Sequence, residues 1–225
     1  MVSLIFIKSI SYKMKIFKLN ILILFLSVSF IANSQDKKVS FGIKTGVNFS
    51  KYNKDIQYSE YKGKVGFYVG GLANISISEK FKIQPELLFA LQGSTFLIKD
   101  LEILESPEEP PVVGDFKTHI TESTIVIPIM AQYYISEKFY FEAGPQLGLI
   151  VNNKEEVKES PTDDPTFSVV YEYDADVFDI GLSFGAGLKV SENIIINARY
   201  FLGLIERDFR QVKSSVINLG AEYRF

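Results

Sequence analysis

Hydrophobic and polar residues alternate with a period of two along much of this chain. In the stretch 176–190, Phe178 and Ile180 fall on one face, whereas Asp179 and Gly181 fall on the other. Successive side chains of a β-strand point to opposite faces of a sheet, so this alternation predicts strands. Runs of ten or more residues exceed an ordinary strand and match the ~9–11 residues with which a tilted strand crosses a membrane.

Eight such stretches are predicted, at about residues 39–50, 62–77, 80–98, 116–135, 138–151, 175–190, 194–204 and 214–225. Their connections alternate between short and long. The short turns that share a serine-glutamate pair are Ile77–Lys80, Ile135–Lys138 and Val190–Asn193, and the long polar connections lie near 51–61, 99–115, 152–174 and 205–213. Short turns on one side and long loops on the other are typical of outer-membrane barrels.

An open sheet in lipid would leave a row of backbone N–H and C=O groups without partners, at a cost of several kcal/mol for each group. Closure of the sheet removes those edges. The pattern therefore predicts an all-β fold, an eight-stranded antiparallel up-and-down transmembrane β-barrel.

The polar face of the strands is rich in glycine, and small residues suit the crowded interior of a narrow barrel. We therefore assign the polar face to the interior, where it places these charged residues: Lys44, Lys64, Glu86, Glu122, Glu142, Asp179, Lys189, Arg199, Glu222 and Arg224. Unpaired buried charge is costly, so we expect salt bridges across the interior. A structural polar core is favoured over an ion or proton pathway, because eight strands enclose little free space.

The beginning of the chain has the features of a secretion signal. Lysines precede the apolar run 19–31, and Ala32 and Ser34 supply the small residues of a cleavage site. Gln35 would then begin the mature protein. The predicted organisation is a signal peptide at 1–34, with Met14 as the true start, followed by an outer-membrane β-barrel domain at 35–225.

The composition excludes several classes of function. The chain has no cysteine and one histidine, which excludes disulfides, thiol nucleophiles, thiolate metal sites and histidine-based metal clusters. A net charge of −3 argues against a nucleic-acid partner, which requires a concentrated basic face. No cofactor is expected.

Four motifs occur in order along the chain: FGIKTGVNFS at 41–50, IQPELLFALQGS at 83–94, IVIPIMAQYY at 125–134 and FEAGPQLG at 141–148. Together with the serine-glutamate turns they resemble the PorT-like outer-membrane β-barrel family of Bacteroidetes. The resemblance covers the chain from about residue 39 to the end. It implies an outer-membrane location and no single activity.

The last stretch, NLGAEYRF at 218–225, resembles the signal that barrel-assembly machinery reads during biogenesis. Its pattern is formed by Asn218, Gly220, Tyr223 and Phe225. Both aromatic rings fall on the face assigned to lipid, where aromatic side chains favour the headgroup boundary. Arg224 ends the polar face, and we expect it to form an ion pair at the rim.

Two features suggest chemistry, and neither supports an enzyme. Carboxylates cluster in the connections 99–115 and 152–173, but without the ordered spacing of a calcium loop, so we interpret them as solvated and partly mobile. His119 shares the outward face of its strand with Thr121 and Ser123, like the rim residues of membrane-embedded lipid hydrolases. Ser123 would lie about 13 Å away along a strand, which is too far for a base and its nucleophile.

The sequence therefore predicts a non-enzymatic protein of the cell outer membrane, reached after signal-peptide cleavage. Its expected partners are outer-membrane lipid, the barrel-assembly machinery and an envelope or extracellular protein that contacts the polar loops. The alternatives are a narrow transport or ion-conducting barrel, a membrane-embedded lipid hydrolase, and a soluble lipocalin-like ligand carrier.

Overall fold

The computed structural model describes residues 39–54, 59–104, 108, 110–162, 170–173, 178–207 and 211–225. The predicted signal peptide and its cleavage site lie outside the described residues. The described strands are β1 Val39–Asn53, β2 Ser59–Lys62, β3 Lys64–Ser76, β4 Phe81–Ile103, β5 Val112–Tyr134, β6 Phe139–Glu159, β7 Val170–Tyr173, β8 Phe178–Lys189, β9 Ile194–Gly203 and β10 Lys213–Arg224. Across these ranges, no helix has both the length and the apolar character needed to cross a membrane.

The strands form a ring of hydrogen-bonded neighbours. Its order is β1, β3, β4, β5, β6, β8, β9 and β10, and β10 returns to pair with β1. The strands β2 and β7 lie off this ring and pair with β4 and β6. The ring closes in a register that runs from Gly42 opposite Arg224 to Asn53 opposite Lys213. The prediction of an all-β, antiparallel fold is confirmed.

The three serine-glutamate turns share one geometry. In each, the serine hydroxyl accepts a hydrogen bond from the backbone N–H three residues later, as Ser78 does from Phe81 at 3.1 Å and Ser136 does from Phe139 at 3.1 Å. Ser191 repeats this contact at 3.2 Å. We call this side of the ring the turn end, and the side that holds the connections after Asn53, Ile103, Glu159 and Gly203 the loop end.

Strands at the loop end extend further than the alternation predicted. The segments 99–115 and 152–174 were predicted as long solvated connections, but β4 continues to Ile103, β5 begins at Val112 and β6 continues to Glu159. The added part of β6 is mostly polar, and charged residues and prolines interrupt the segment 99–115, so hydrophobic alternation does not reveal these strand ends. They are held by backbone hydrogen bonds to a neighbouring strand, as in the pairs Ile103–Val112 and Thr118–Val157. The β4–β5 register shifts between Ile98 and Leu101, where Asp100 has a φ of 49°.

The two faces of the ring differ in chemistry. Large apolar side chains are exposed on the outward face, for example Phe41 at 63%, Val65 at 62% and Leu219 at 45%. Polar and charged side chains on the inward face are almost fully buried, including Lys44 at 2% and Glu222 at 1%. A water-soluble protein would show the opposite distribution. The outward face is therefore suited to an apolar surrounding.

Candidate functional site

The inward face brings charges from separate strands into one chain of ion pairs. Arg199 of β9 lies 2.8 Å from Glu142 of β6 and 2.8 Å from Glu86 of β4. Lys44 of β1 then joins Glu86 at 3.1 Å to Glu222 of β10 at 3.0 Å. Glu222 completes the chain with Arg224, at 2.9 Å. We call this series of ion pairs the buried charge network. Its charges alternate in sign in the order Glu142, Arg199, Glu86, Lys44, Glu222 and Arg224.

Side-chain amides donate further hydrogen bonds to the carboxylates of this network. Gln84 donates to Glu86 at 2.9 Å and to Glu222 at 3.1 Å, while Gln132 donates to Glu142 at 3.1 Å. Asn74 donates to both glutamines, at 2.8 and 2.9 Å. The sequence analysis did not identify these amides, although they occupy the inward parity of β3, β4 and β5. Strand parity alone would have found them.

The formal charges of the network cancel, because it holds three carboxylates and three cations. Each buried charge loses its hydration, and this loss is offset only if every partner is present and well placed. Arg199 meets this condition with a two-pronged contact to Glu86, at 2.9 and 2.8 Å. Such paired contacts are strong and directional. The network therefore links strands on opposite sides of the ring through ion pairs.

A small cavity lies against the network on its loop-end side. Its lining includes Lys44, Arg199, Tyr68, Leu88 and Val126, and its volume is about 20 Å³. That space holds about one water molecule. The interior is thus filled by side chains at this level.

A second buried ion pair lies nearer the loop end. Arg207 donates to both oxygens of Glu122, at 3.1 and 3.0 Å, and its guanidinium stacks over the ring of Tyr52. Arg207 is 4% exposed. The sequence analysis placed it in a polar connection and did not identify it. Arg207 forms an isolated antiparallel bridge with Val212. Hydrophobic alternation along the sequence does not predict this bridge.

Three further charges assigned to the interior join neither the network nor the second ion pair. The ammonium of Lys64 donates to the hydroxyl of Thr121 and to the carbonyl of Ile120, and Lys64 is only half buried. Lys189 lies at the turn-end rim, paired with the exposed Glu192 at 3.2 Å. Lysine reaches solvent from such positions because its stem is long and flexible. Asp179 is buried, but apart from the network, and one of its oxygens lacks a hydrogen-bond partner among the described residues.

Arg224 forms the expected ion pair, with Glu222, but it is more deeply buried than a rim position implies. Arg224 is 9% exposed and donates to Glu222, to Gln84 at 2.9 Å and to the hydroxyl of Tyr134 at 3.3 Å. In the alternation of β10, Arg224 follows the outward-facing Tyr223, so its side chain points inward. Its hydrogen-bond partners there are polar side chains. It is part of the buried charge network rather than of the surface.

The other residues of the proposed assembly signal divide between the two faces. Tyr223 and Phe225 are exposed and contact each other, with ring centroids 5.6 Å apart. Asn218 lines the small cavity, and Gly220 lies under the hydroxyl of Tyr68. The backbone N–H of Phe225 donates to the carbonyl of Phe41 at 2.9 Å.

One inward glycine is required by an aromatic ring. A Cβ at Gly187 would overlap the ring of Tyr140, which is fully buried at 0% exposure. Tyr140 packs against Tyr134, with centroids 4.9 Å apart. The glycine-rich polar face therefore makes room for large side chains from neighbouring strands.

The outward face of β5 and β6 becomes polar near the loop end. His119 lies opposite Glu156 and Thr121 lies opposite Lys154. The hydroxyl of Thr121 accepts a hydrogen bond from the ammonium of Lys64. Among the described residues, no group of three or more His, Asp or Glu side chains is arranged to hold a metal ion.

Comparison with known proteins gives a family and a fold. The model of the outer membrane protein beta-barrel domain matches residues 32–207, which is more than half of the chain. No curated protein sequence matches. Neisserial surface protein A is a similar solved structure, with a TM-score of 0.50, 12% identity and coverage of 84% of this chain and 99% of that chain.

Two further structures are similar at lower scores. Ail, the attachment invasion locus protein of Yersinia pestis, has a TM-score of 0.47 and 16% identity, over 84% of this chain and 99% of that chain. OprG from Pseudomonas aeruginosa has a TM-score of 0.44 and 12% identity, over 84% of this chain and 97% of that chain. At such identities, similarity of structure concerns the fold alone. The match of the family model shows that this chain belongs to the outer membrane protein beta-barrel domain family, and its location is the outer membrane.

Proposed function

We propose that this chain is a non-enzymatic, eight-stranded up-and-down barrel that spans the outer membrane with a closed interior. Its loop end faces the outside of the cell and contacts an envelope or extracellular partner. Its turn end faces the periplasm. The observation that carries the proposal is the contrast between an exposed apolar outer face and a buried, charge-balanced inner face. Lipid would cover the exposed apolar face. The charges of the inner face pair with one another and need no water.

The closed interior favours this role over transport. Ion pairs and amides occupy the interior beside the small cavity of about 20 Å³, so the space between the described side chains there holds about one water molecule. A soluble carrier of the lipocalin type needs an apolar cavity and a polar exterior. Here Phe184 and Leu219 are exposed while Glu86 and Arg199 are buried.

The loop end supports the proposed contact with a partner. The strands β4, β5 and β6 have 23, 23 and 21 residues, whereas β8, β9 and β10 have 12, 10 and 12. One wall of the ring therefore extends well past the membrane-spanning length of ~9–11 residues. A rigid extended wall presents side chains to a partner at low entropic cost. The narrower placement among PorT-like proteins of Bacteroidetes rests on the four motifs and on the serine-glutamate turns.

Single cysteines test the proposed orientation, because the natural chain has none. The variants are Lys99→Cys at the loop end, Glu137→Cys at the turn end and Leu219→Cys on the outward face. We expect a membrane-impermeant maleimide to label Lys99→Cys on intact cells and Glu137→Cys only after the outer membrane is opened. Leu219→Cys should stay unlabelled until the protein is unfolded.

The outcomes separate the alternatives. Labelling of Leu219→Cys in the folded protein would favour a soluble carrier, and labelling of Glu137→Cys on intact cells would reverse the orientation. A cross-linker on Lys99→Cys in intact cells should give a discrete adduct that Glu137→Cys does not give. If neither cysteine gives an adduct, the loop end has no stable protein partner.

A further inference from the structure

Where the outward face of β5 and β6 leaves the apolar belt, it carries a group of cations. The paired residues Ile125 and Leu149 are the last apolar pair, and Ser123 lies opposite Asn152. Beyond that pair, the outward residues of β5 include Thr121, His119 and Lys117, and those of β6 include Lys154 and Glu156. We define the rim patch as the side chains of these two strands at Lys117, His119, Thr121, Lys154, Glu156, Lys158 and Glu159, together with Lys64 of β3, whose ammonium contacts Thr121.

Contacts within the rim patch hold its lysines in place. The carboxylate of Glu156 bonds the ammonium groups of Lys154 and Lys158, the latter at 2.6 Å. Lys117 pairs with Glu159 at 2.8 Å. The side chains of Lys154 and Lys158 remain 43% exposed. An ammonium has three donors, and one carboxylate contact leaves Lys158 able to bind a second oxygen.

The rim patch has an excess of positive charge. Its four lysines outnumber its two glutamates, whereas the whole chain has a net charge of −3. Hydrogen bonds from Lys154 and Lys158 lower the pKa of Glu156 to about 2, so this carboxylate stays ionised and keeps both lysines. Partial burial and the nearby Lys64, Lys158 and Lys117 lower the pKa of His119, which disfavours its charged form. The positive excess therefore comes from lysine.

We propose that the rim patch binds the phosphate groups of a phosphorylated lipid headgroup in the outer leaflet. This inference rests on the proposed orientation, in which the loop end faces outward. Ammonium groups bind phosphate oxygens through charge-assisted hydrogen bonds, and basic clusters beside an apolar surface attract anionic lipid. The apolar side chains below the patch hold the acyl chains of the same lipid. The rim patch and the apolar surface are continuous, and a lipid has both phosphate groups and acyl chains. A lipid therefore fits this site better than a soluble phosphate compound does.

The test compares two lipids and two sets of variants. The protein is folded in phosphatidylcholine nanodiscs that contain either bisphosphorylated lipid A or the same lipid without phosphates, and bound lipid is counted by native mass spectrometry. One variant removes three rim cations: Lys117→Gln, Lys154→Gln and Lys158→Gln. The matched control removes three exposed lysines elsewhere: Lys80→Gln, Lys99→Gln and Lys138→Gln.

We expect the natural protein and the control to retain the phosphorylated lipid over the dephosphorylated one. Each lysine near a membrane surface contributes roughly fivefold, so the rim variant should lose most of that preference. Equal retention of both lipids by the natural protein, or an unchanged preference in the rim variant, overturns the proposal. So does equal competition by millimolar inorganic phosphate, which would indicate a soluble anion.

Failure of this inference is distinct from failure of the proposed function. If every variant inserts and shows the heat-modified gel mobility of a folded barrel, but none prefers phosphate, only the lipid site is wrong. If Leu219→Cys is labelled in the folded natural background, the orientation in the membrane is wrong, and the lipid site falls with it.

Discussion

Arg199 is the side chain on which the buried charge network depends most. It bonds Glu86 and Glu142, which belong to strands on different parts of the ring. Removing one partner from a buried ion pair leaves an uncompensated charge, and this costs more than the pair itself contributes. Arg199 has two such partners.

We therefore predict that Arg199→Ala lowers the free energy of unfolding by about 3–5 kcal/mol. The measurement is the urea midpoint of the heat-modified band in lipid vesicles. Lys99→Ala is the control, since the Lys99 side chain is 61% exposed and its contact to Glu60 at 3.9 Å is weak. Equal midpoints for the two variants would show that the network does not stabilise the ring.

Arg224 allows a second test of the same idea. Arg224→Ala removes donors to Glu222, Gln84 and Tyr134, so we predict a loss at least as large as that from Tyr223→Ala. A fully buried aromatic ring contributes about 1.5–3 kcal/mol, and Tyr223 is covered on one side only. Folded-band yield after urea titration ranks the two variants. A milder effect for Arg224→Ala would return it to the rim, as the sequence suggested.

Residue parity explains which of these side chains could be predicted. Lys44, Glu86 and Glu222 sit in regular alternation, and their inward placement follows from the sequence. Their partners do not, because pairing depends on how neighbouring strands are registered. Arg207 falls outside any alternating stretch, so only the three-dimensional path of its connection reveals its contact with Glu122.

The strands of the ring depend on close packing between neighbours. Tyr140 of β6 lies against Gly187 of β8, and these two residues are directly paired across the strands. A side chain larger than hydrogen at Gly187 has to displace the ring, which itself packs on Tyr134. Overpacking of this kind destabilises proteins by about 1–3 kcal/mol.

Gly187→Ala should therefore reduce the yield of folded protein, and the shorter Tyr140→Leu side chain should restore it in the double variant. Gly71→Ala is a matched control, since the nearest atom to a Cβ there is the carbonyl oxygen of Gly42 at 3.9 Å. The yield is read from the heat-modified band in membrane fractions. If Gly71→Ala and Gly187→Ala reduce it equally, then loss of chain flexibility explains both.

The extended parts of β5 and β6 lead to a different kind of prediction. Backbone pairing continues from Ser123 opposite Asn152 to Lys117 opposite Glu159. Amides in such a ladder exchange slowly only if the strands persist. Hydrogen exchange measured by mass spectrometry should be roughly tenfold or more slower in 152–157 than in the exposed turn 136–138. Equal rates would mean that the predicted solvated connection was the better description.

Hydrophobic alternation located the ring strands because lipid and core impose different side chains on their two faces. It failed at the loop end, where the outward face of β6 carries Lys154, Glu156 and Lys158 instead of apolar residues. Water on both faces removes the pattern but leaves the hydrogen-bond ladder intact. Strand ends outside the apolar belt are therefore set by pairing, and a single sequence does not report pairing.

The filled interior determines what crosses the ring. With ion pairs tying β1, β4, β6, β9 and β10 together, we predict no steady unitary conductance in a planar bilayer at high salt. A ring whose core held a water column would give steps proportional to salt concentration. Such steps in the natural protein would favour the transport alternative over a structural core.

The pairing of β1 with β10 also has a consequence in time. The two strands that close the ring, β1 and β10, are separated in sequence by all the other strands. Their pairing runs from Gly42 opposite Arg224 to Asn53 opposite Lys213. Contacts between distant segments form slowly, and until then both strands expose unpaired edges that promote aggregation. This fold cannot be completed while its last strand is still being made. Between synthesis and closure, the unpaired edges of β1 and β10 stay open to association with other chains, and the speed of closure determines how long that exposure lasts.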